Sequence, residues 1–292
     1  MQRVLVVGAG FMGAGIAQVC AQAGHQVSLM DVKPEALDRA MEGMKTSVGK
    51  LASKGLISDN PGAVLARVTP VDSLESASQA DWVLEAALEI ESLKLELFAE
   101  LDRLAPPHTP IASNTSSIPI SRLASATTHP EKVLGLHFFG PVPLMGLVEV
   151  VKGDKTSDEV FERSIAFIRA LGKHPVPVGR DIPGFVMNRV FCAAFREALD
   201  LVNSGVTTPQ DLDAGMRLGY GWAAGPFEVA DNAGLDTFVL IDRFLQSMGE
   251  IELVARCDLV ERLVKQGRLG RKVGKGFYDY TPEGKRVPRE QE

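Results

Sequence analysis

The chain has 292 residues, of which 45% are hydrophobic and 23% charged, the balance of a soluble globular protein of one large or two medium domains. A formal net charge of −6 argues against nucleic acid as the principal partner, yet helix termini and a few lysines can still hold an anionic small ligand. Three widely spaced cysteines, Cys20, Cys192 and Cys257, suit neither a disulfide framework nor a metal knuckle, so a reducing, cytoplasmic setting and no metal are expected.

Arg3 and the apolar run to Ala17, followed by Cys20-Ala21-Gln22-Ala23, have the outline of a signal peptide. The glycines at 8, 10, 13 and 15, with Gly24 beyond, suit a compact turn and close helix packing better, and secretion is not expected. No other stretch approaches the ~18 uninterrupted apolar residues of a membrane span, so no membrane partner is expected.

Val4 to Val7 reads as a strand buried on both faces, and it runs into Gly8-Ala9-Gly10-Phe11-Met12-Gly13 at the start of a helix. A second strand, Val27 to Met30, ends at Asp31. This is G-x-G-x-x-G after a strand, opening a helix, with an acid about twenty residues on. The first glycine makes the turn, the second admits a pyrophosphate and the third lets helix and strand pack. Asp31 suits the adenine ribose hydroxyls and repels a 2′-phosphate, which favours NAD over NADP. The competing reading is a glycine-rich turn with Asp31 capping the next helix.

Pro34 to Lys54 reads as a moderately basic helix, and with the turn at 59–62 it forms an inserted helical protrusion before Arg67-Val68-Thr69. Asp81 to Ala86 gives a further strand and turn, and Ile90 to Leu104 a helix. The strand Ile111 to Ser113 ends in Asn114-Thr115-Ser116-Ser117, at the carboxyl end where open α/β sheets place their ligands. Ser116 or Ser117 also suits the cap of a helix from Ile118 to Ala124.

His137 closes one β-patterned run and Glu149 lies inside the next, with Gly140, Pro141 and Pro143 between them. Such a loop folds two runs back on each other, and an imidazole oriented by a carboxylate is a ready proton acceptor. A helix from Ser157 to Leu171 and a proline-broken edge strand, His174 to Val178, complete an α/β domain of residues 1–179. From residue 180 the pattern changes to helices: one starting at Asp181-Ile182-Pro183-Gly184-Phe185, then Pro209–Leu218, Pro226–Met248 and Ile251–Gln266. The fold class expected is α/β, a Rossmann-type doubly wound, mostly parallel sheet with a helical protrusion, followed by an all-α C-terminal domain of residues 180–292.

The motifs VGAGFMGAGIAQ, SNTSSI, GLHFFGPVPLMGLVEVV, LGKHPVPV, DIPGFVMNRV, RLGYGWAAGPFEVADNAGLDT and RKVGKGFYDY together resemble the L-3-hydroxyacyl-CoA dehydrogenases, from Val4 to Tyr280. The resemblance implies reversible, NAD-dependent oxidation of (3S)-3-hydroxyacyl-CoA to 3-oxoacyl-CoA in fatty-acid β-oxidation or butanoate metabolism, by a homodimer. It implies His137 as catalytic base, Glu149 as its orienting partner, and Ser116 and Asn188 as further active-site residues. Glu89, Lys94, Ser116 and Lys272 join Gly8, Gly10, Phe11, Met12, Gly13 and Asp31 as implied NAD contacts. Ser47 and Lys54 are implied to meet the CoA moiety, making the helical protrusion a lid over its 3′-phospho-ADP. Gly140 and Gly146 depart from the family's usual Asn and Lys. Two alternatives stay open: a dehydrogenase of a free hydroxy or sugar acid on the same fold, and a non-catalytic dinucleotide-binding protein.

Overall fold

A computed structural model describes residues 1–247, 249 and 258–287. Their contacts divide the chain into two units, Met1–Phe185 and Val186–Glu292. The division falls six residues beyond the boundary expected from the change of pattern at 179/180.

The first unit is built on eight strands: β1 (Arg3–Val7), β2 (Gln26–Met30), β3 (Val68–Val71), β4 (Trp82–Glu85), β5 (Ile111–Ser113), β6 (Val133–Phe138), β7 (Leu147–Lys152) and β8 (His174–Val178). They lie in the order β3-β2-β1-β4-β5-β6-β7-β8. Every neighbouring pair is parallel except β6 and β7. Strands β4, β5 and β6 are buried at every residue, which is why they read as continuous apolar runs without alternation. The prolines of β8 are tolerated because that strand closes the sheet.

Crossover helices cover the sheet: α1 (Phe11–Gln22), α2 (Pro34–Ser53), α3 (Pro61–Leu65), α4 (Glu91–Leu104), α5 (Ile120–Ala124) and α6 (Asp158–Ala170). The inserted α2 is amphipathic and buries Ala36, Leu37, Ala40, Met44, Val48 and Leu51. Chain order reverses at β1, between β2 on one side and β4 on the other, and such a switch point leaves a crevice at the strands' carboxyl ends.

The second unit holds α7 (Met187–Asn203), α8 (Pro209–Tyr220), α9 (Pro226–Ala233), α10 (Leu235–Ser247) and α11 (Asp258–Lys265) around Phe195, Leu199, Phe227, Leu235 and Tyr278. Two expectations are corrected here. The helix expected from Asp181 starts at Met187, because Gly184 and Phe185 take left-handed φ values of 75° and 48° and hold the chain out of the helix. Asp181 instead accepts a hydrogen bond from Ser121 N at 2.7 Å, in α5. The run expected at Pro226–Met248 is two helices, since Gly234 at φ 98° ends the first. Residues 251–257, the start of the last expected helix, lie outside the described residues, as do Met248 and Cys257. No described helix is long and apolar enough to cross a membrane.

Candidate active site

β1 runs into Gly8 at φ 104°, where a Cβ would come within 2.5 Å of Ala86 O and block the turn. A Cβ on Gly13 would collide with Gly8 O, so helix and loop pack as closely as the glycine pattern requires. Gly10, by contrast, has nothing within 4 Å of a Cβ and leaves the loop open on its ligand side. Gly10 is also the N-cap of α1, which has no side-chain cap and no acid in its first turn. Its N–H groups and positive dipole end are thus available to an anion.

Asp31 closes β2. Its Oδ2 accepts from Ala9 N at 2.8 Å and its Oδ1 from Lys33 N at 3.0 Å, leaving lone pairs on both oxygens. A cavity of about 690 Å³ is lined by Gly8, Gly10, Phe11, Asp31 and Ser47 among others. Close backbone approach, an uncapped helix start and a carboxylate at the next strand end fit a dinucleotide. Met12 instead packs half-buried against the core, and Lys54 ends α2 as its exposed C-cap, away from the cavity lining.

Beneath the 113–117 turn lies a chain of charges, buried at Glu85 and Lys94 and partly exposed at Glu89. Glu85, fully buried at the end of β4, accepts from Lys94 Nζ at 2.6 Å, Ser113 Oγ at 2.6 Å and Ala87 N at 2.7 Å. Lys94, 1% exposed, also stands 3.2 Å from Glu89 Oε2. Glu89 Oε1 takes Thr115 Oγ1 at 2.5 Å, Ser117 Oγ at 2.7 Å and the N–H groups of Ser116 and Ser117 at 3.2 Å. Burial pushes the Glu89 carboxyl up, but Lys94 and the Thr115 and Ser117 hydroxyls outweigh it and hold it below its ordinary value. Lys94 meets two carboxylates rather than the cavity. Neither Ser116 nor Ser117 caps α5, whose N-cap is Pro119.

The antiparallel register of β6 and β7 sets His137 directly opposite Glu149. The ring's Nδ1 lies 2.7 Å from Glu149 Oε2, with the histidine 6% exposed and the glutamate fully buried. A carboxylate only accepts, so this contact puts the hydrogen on Nδ1 and leaves the Nε2 lone pair free. Phe139 and Phe185 hold the ring at centroid distances of 4.7 and 5.5 Å. Asn114 Oδ1 accepts from Phe138 N at 2.9 Å, tying the serine-rich turn to the strand that carries His137.

The loop between the pair is anchored from outside. Lys173 Nζ, on a side chain only 9% exposed in residue terms, donates to Val142 O at 2.7 Å and Met145 O at 2.6 Å. Burial pulls the Lys173 ammonium below its ordinary value and pushes the neighbouring Cys20 thiol up to about 12, which keeps that cysteine unreactive. A Cβ on Gly140 would lie 2.7 Å from Phe11 Cε1, so the residue that departs from the family pattern abuts the cofactor loop. Gly146 has open space around its Cβ position.

In the second unit, Asn188 lies half-buried in the first turn of α7. Lys272 forms a two-point ion pair with Asp236, at 2.7 Å to each oxygen. The turn bearing Lys272 is fixed by Asp231, which accepts from Phe277 N, Tyr278 N and Tyr280 Oη. Sequence reading did not single out Glu85, Lys173 or Asp236, and named Asn114 only as the start of the serine-rich turn. Their only signal is a polar residue inside or just after an apolar element.

With this geometry in hand, comparison with known proteins gives a consistent result. Residues 3–182 match the pattern of the 3-hydroxyacyl-CoA dehydrogenase NAD binding domain, and residues 184–280 that of the C-terminal domain. A probable 3-hydroxybutyryl-CoA dehydrogenase of Bacillus subtilis (strain 168) is 42% identical over 281 residues, 96% of this chain and 98% of the relative. The mitochondrial hydroxyacyl-coenzyme A dehydrogenase of Rattus norvegicus is 41% identical over 96% of this chain and 91% of its own. The crystal structure of (S)-3-hydroxybutyryl-CoA dehydrogenase from Ralstonia eutropha superposes with a TM-score of 0.89 at 36% identity, over 96% of this chain and 99% of that one.

Proposed function

This chain belongs to the 3-hydroxyacyl-CoA dehydrogenase family, with NAD as cofactor, and from that premise we propose that it interconverts (3S)-3-hydroxyacyl-CoA and 3-oxoacyl-CoA with His137 as the general acid–base. The observation that carries the reading is the buried His137–Glu149 pair, 2.7 Å apart, on the same sheet whose switch point holds the glycine loop. Bound NAD supplies the hydride acceptor.

In oxidation, His137 Nε2 takes the proton of the C3 hydroxyl. Glu149 keeps the hydrogen on Nδ1 and stabilises the imidazolium as it forms. In reduction the charged ring polarises the 3-oxo group and returns the proton. A general acid–base of this kind is worth on the order of 10²–10⁴-fold. Ser116 and Asn188 serve as hydrogen-bonding groups for the substrate oxygen and the nicotinamide. Glu89 orders the Ser116 turn through its backbone contacts, with Lys94 bracing Glu89 from below. Ser47 and Lys54 on α2 meet the CoA nucleotide, and Lys272 the cofactor.

The second unit is the dimerisation unit in this reading, since Val190, Leu218, Tyr220 and Leu240 are 61–89% exposed in an otherwise well-packed helical core. Light scattering that returns a mass of twice 31.4 kDa supports the dimer, and a monomer refutes it. The functional reading is tested by following NADH oxidation with 3-oxoacyl-CoA thioesters of increasing chain length against the free 3-oxo acids. Turnover of the thioesters is expected. Turnover of the free acids alone would point to the alternative substrate class.

A further inference from the structure

The motif LGKHPVPV carries a lysine to which the mechanism gives no role. Gly172, at φ 73°, turns the chain out of α6, and Lys173 follows it just before β8. The side chain enters the protein, and both of its hydrogen-bond partners are backbone carbonyls, Val142 O at 2.7 Å and Met145 O at 2.6 Å. Among the described residues no carboxylate stands within ion-pair distance of it, and the titratable neighbour it does meet is the Cys20 thiol. A buried ammonium is costly to desolvate, and a leucine or methionine would fill the same space without that cost. What the ammonium adds is charge-assisted hydrogen bonding, and both bonds go to one loop.

That loop, residues 140–146, is gripped from two sides. From one, Lys173 takes two of its carbonyls, and His174 N donates to a third, Gly146 O, at 2.6 Å. From the other, Val142 is buried so tightly on α1 that a Cβ at Gly15 would lie 2.8 Å from Val142 Cβ and 3.5 Å from Pro143 Cδ. The loop's own turn, Leu144 N and Met145 N to Pro141 O at 2.9 and 3.0 Å, fastens it only to itself. Its outer residues, Leu144 and Met145, are exposed. Its inner face has a use, because Pro141, Val142 and Pro143 line the cavity shared with the glycine loop and Asp31.

We infer that Lys173 is a positioning residue for cofactor binding: its ammonium holds the 140–146 loop against α1 and so sets the wall of the dinucleotide cavity that Pro141 to Pro143 form. The inference rests on that cavity being the NAD site. His137 and Glu149 lie outside the loop, in β6 and β7, where the strand ladder keeps them in register. Loss of the clamp therefore weakens cofactor affinity first and leaves the proton-transfer pair in place.

Lys173→Met keeps the apolar stem and removes the donors, and Lys173→Arg restores charged donors at the same position. For each, the Kd for NADH is titrated without substrate, and kcat and the KM for NADH are measured with acetoacetyl-CoA. In Lys173→Met the Kd and KM for NADH are expected to rise about tenfold, with kcat at saturating NADH within about threefold of wild type. Lys173→Arg is expected to bring both constants back to within about threefold of wild type. A lower melting temperature with the Kd for NADH unmoved would mean packing alone and overturn the inference. So would a fall in kcat as large as the rise in Kd, which would place the effect on the proton-transfer pair, or an arginine variant that binds NADH no better than the methionine one. Should Lys173→Met not fold, Lys173→Gln, a shorter and neutral donor, takes its place, and a wild-type Kd for NADH there overturns the inference. A wild-type protein that binds NADH without turning over acetoacetyl-CoA would sink the substrate reading alone; the Kd titration needs no substrate and still decides the role of Lys173.

Discussion

The two units bury carboxylates in opposite ways. In the first, each is joined to a cation or a ring: Glu85 to Lys94, Asp102 to Lys132 at 3.0 Å, Glu149 to His137, with the more exposed Glu89 also meeting Lys94. In the second, Asp213 and Asp231 are fully buried and held by neutral donors. Asp213 accepts from Phe227 N, Glu228 N and Tyr278 Oη, and Asp231 from Phe277 N, Tyr278 N and Tyr280 Oη. The consequence shows in their acidity. Glu89 and Asp102 lie below their ordinary values, because cations and hydrogen bonds overcome burial. Asp213 and Asp231 lie above theirs, because burial wins over their neutral hydrogen-bond donors and, at Asp231, over the more distant charge of Arg268. The first arrangement keeps charge in place beneath a binding turn, and the second fixes backbone segments.

The largest expected break in this contrast is Glu85→Met. It strips a buried ammonium of its main partner, and the loss of one member of a buried pair costs about 3–5 kcal/mol. Urea denaturation should show a midpoint far below wild type. A loss under about 1 kcal/mol would mean that Lys94 is held well enough by Glu89 alone.

Asp231→Asn should cost less, about 1–2 kcal/mol, since one acceptor remains and no cation is orphaned. The same melt measures it, and a cost as large as that of Glu85→Met would erase the distinction between the two units.

Acid separates them without mutation. The Glu89 carboxyl is depressed from 4.5, so its contribution is full above that value and is lost as pH falls through its lower folded value. The Asp213 and Asp231 carboxyls are raised from 3.8, so their share of stability is full below that value and declines as pH rises through their higher folded values. Hydrogen exchange on lowering the pH from 7 to about 3 should therefore show protection at residues 113–118 that holds down to 4.5 and weakens below it, and holding or rising protection at 276–280. Parallel loss in both segments would contradict the assignment.

Gly140→Ala is the smallest test and leaves every carboxylate untouched. The new methyl meets Phe11 Cε1, but Phe11 is 71% exposed and its ring can swing aside, so a stability change under about 1 kcal/mol is expected in thermal melting.

The parts of the site that were legible in sequence are those set by short-range pattern. The glycine loop announces itself because backbone approach restricts three positions within six residues, and Asp31 sits one strand later. The His137–Glu149 contact could be anticipated because a Gly/Pro loop fixes two strands back to back. The Glu85–Lys94–Glu89 chain was out of reach, since it needs β4, α4 and β5 assembled in one sheet before the side chains meet. Lys173 was unreadable for the same reason: its partners are backbone carbonyls some thirty residues earlier, which leave no trace in residue type. Asp181 misled because an acid before a proline resembles a helix start, and only the left-handed pair Gly184–Phe185 shows that the helix waits until Met187.

The central claim is that His137, oriented by Glu149, moves the proton. It is tested most directly by Glu149→Gln alongside His137→Gln, with kcat for acetoacetyl-CoA reduction and the Kd for NADH measured in each. The account predicts a fall in kcat on the order of 10²-fold or more for His137→Gln and a smaller but clear fall for Glu149→Gln, with NADH binding unchanged in both. Turnover of His137→Gln near the wild-type rate would contradict it.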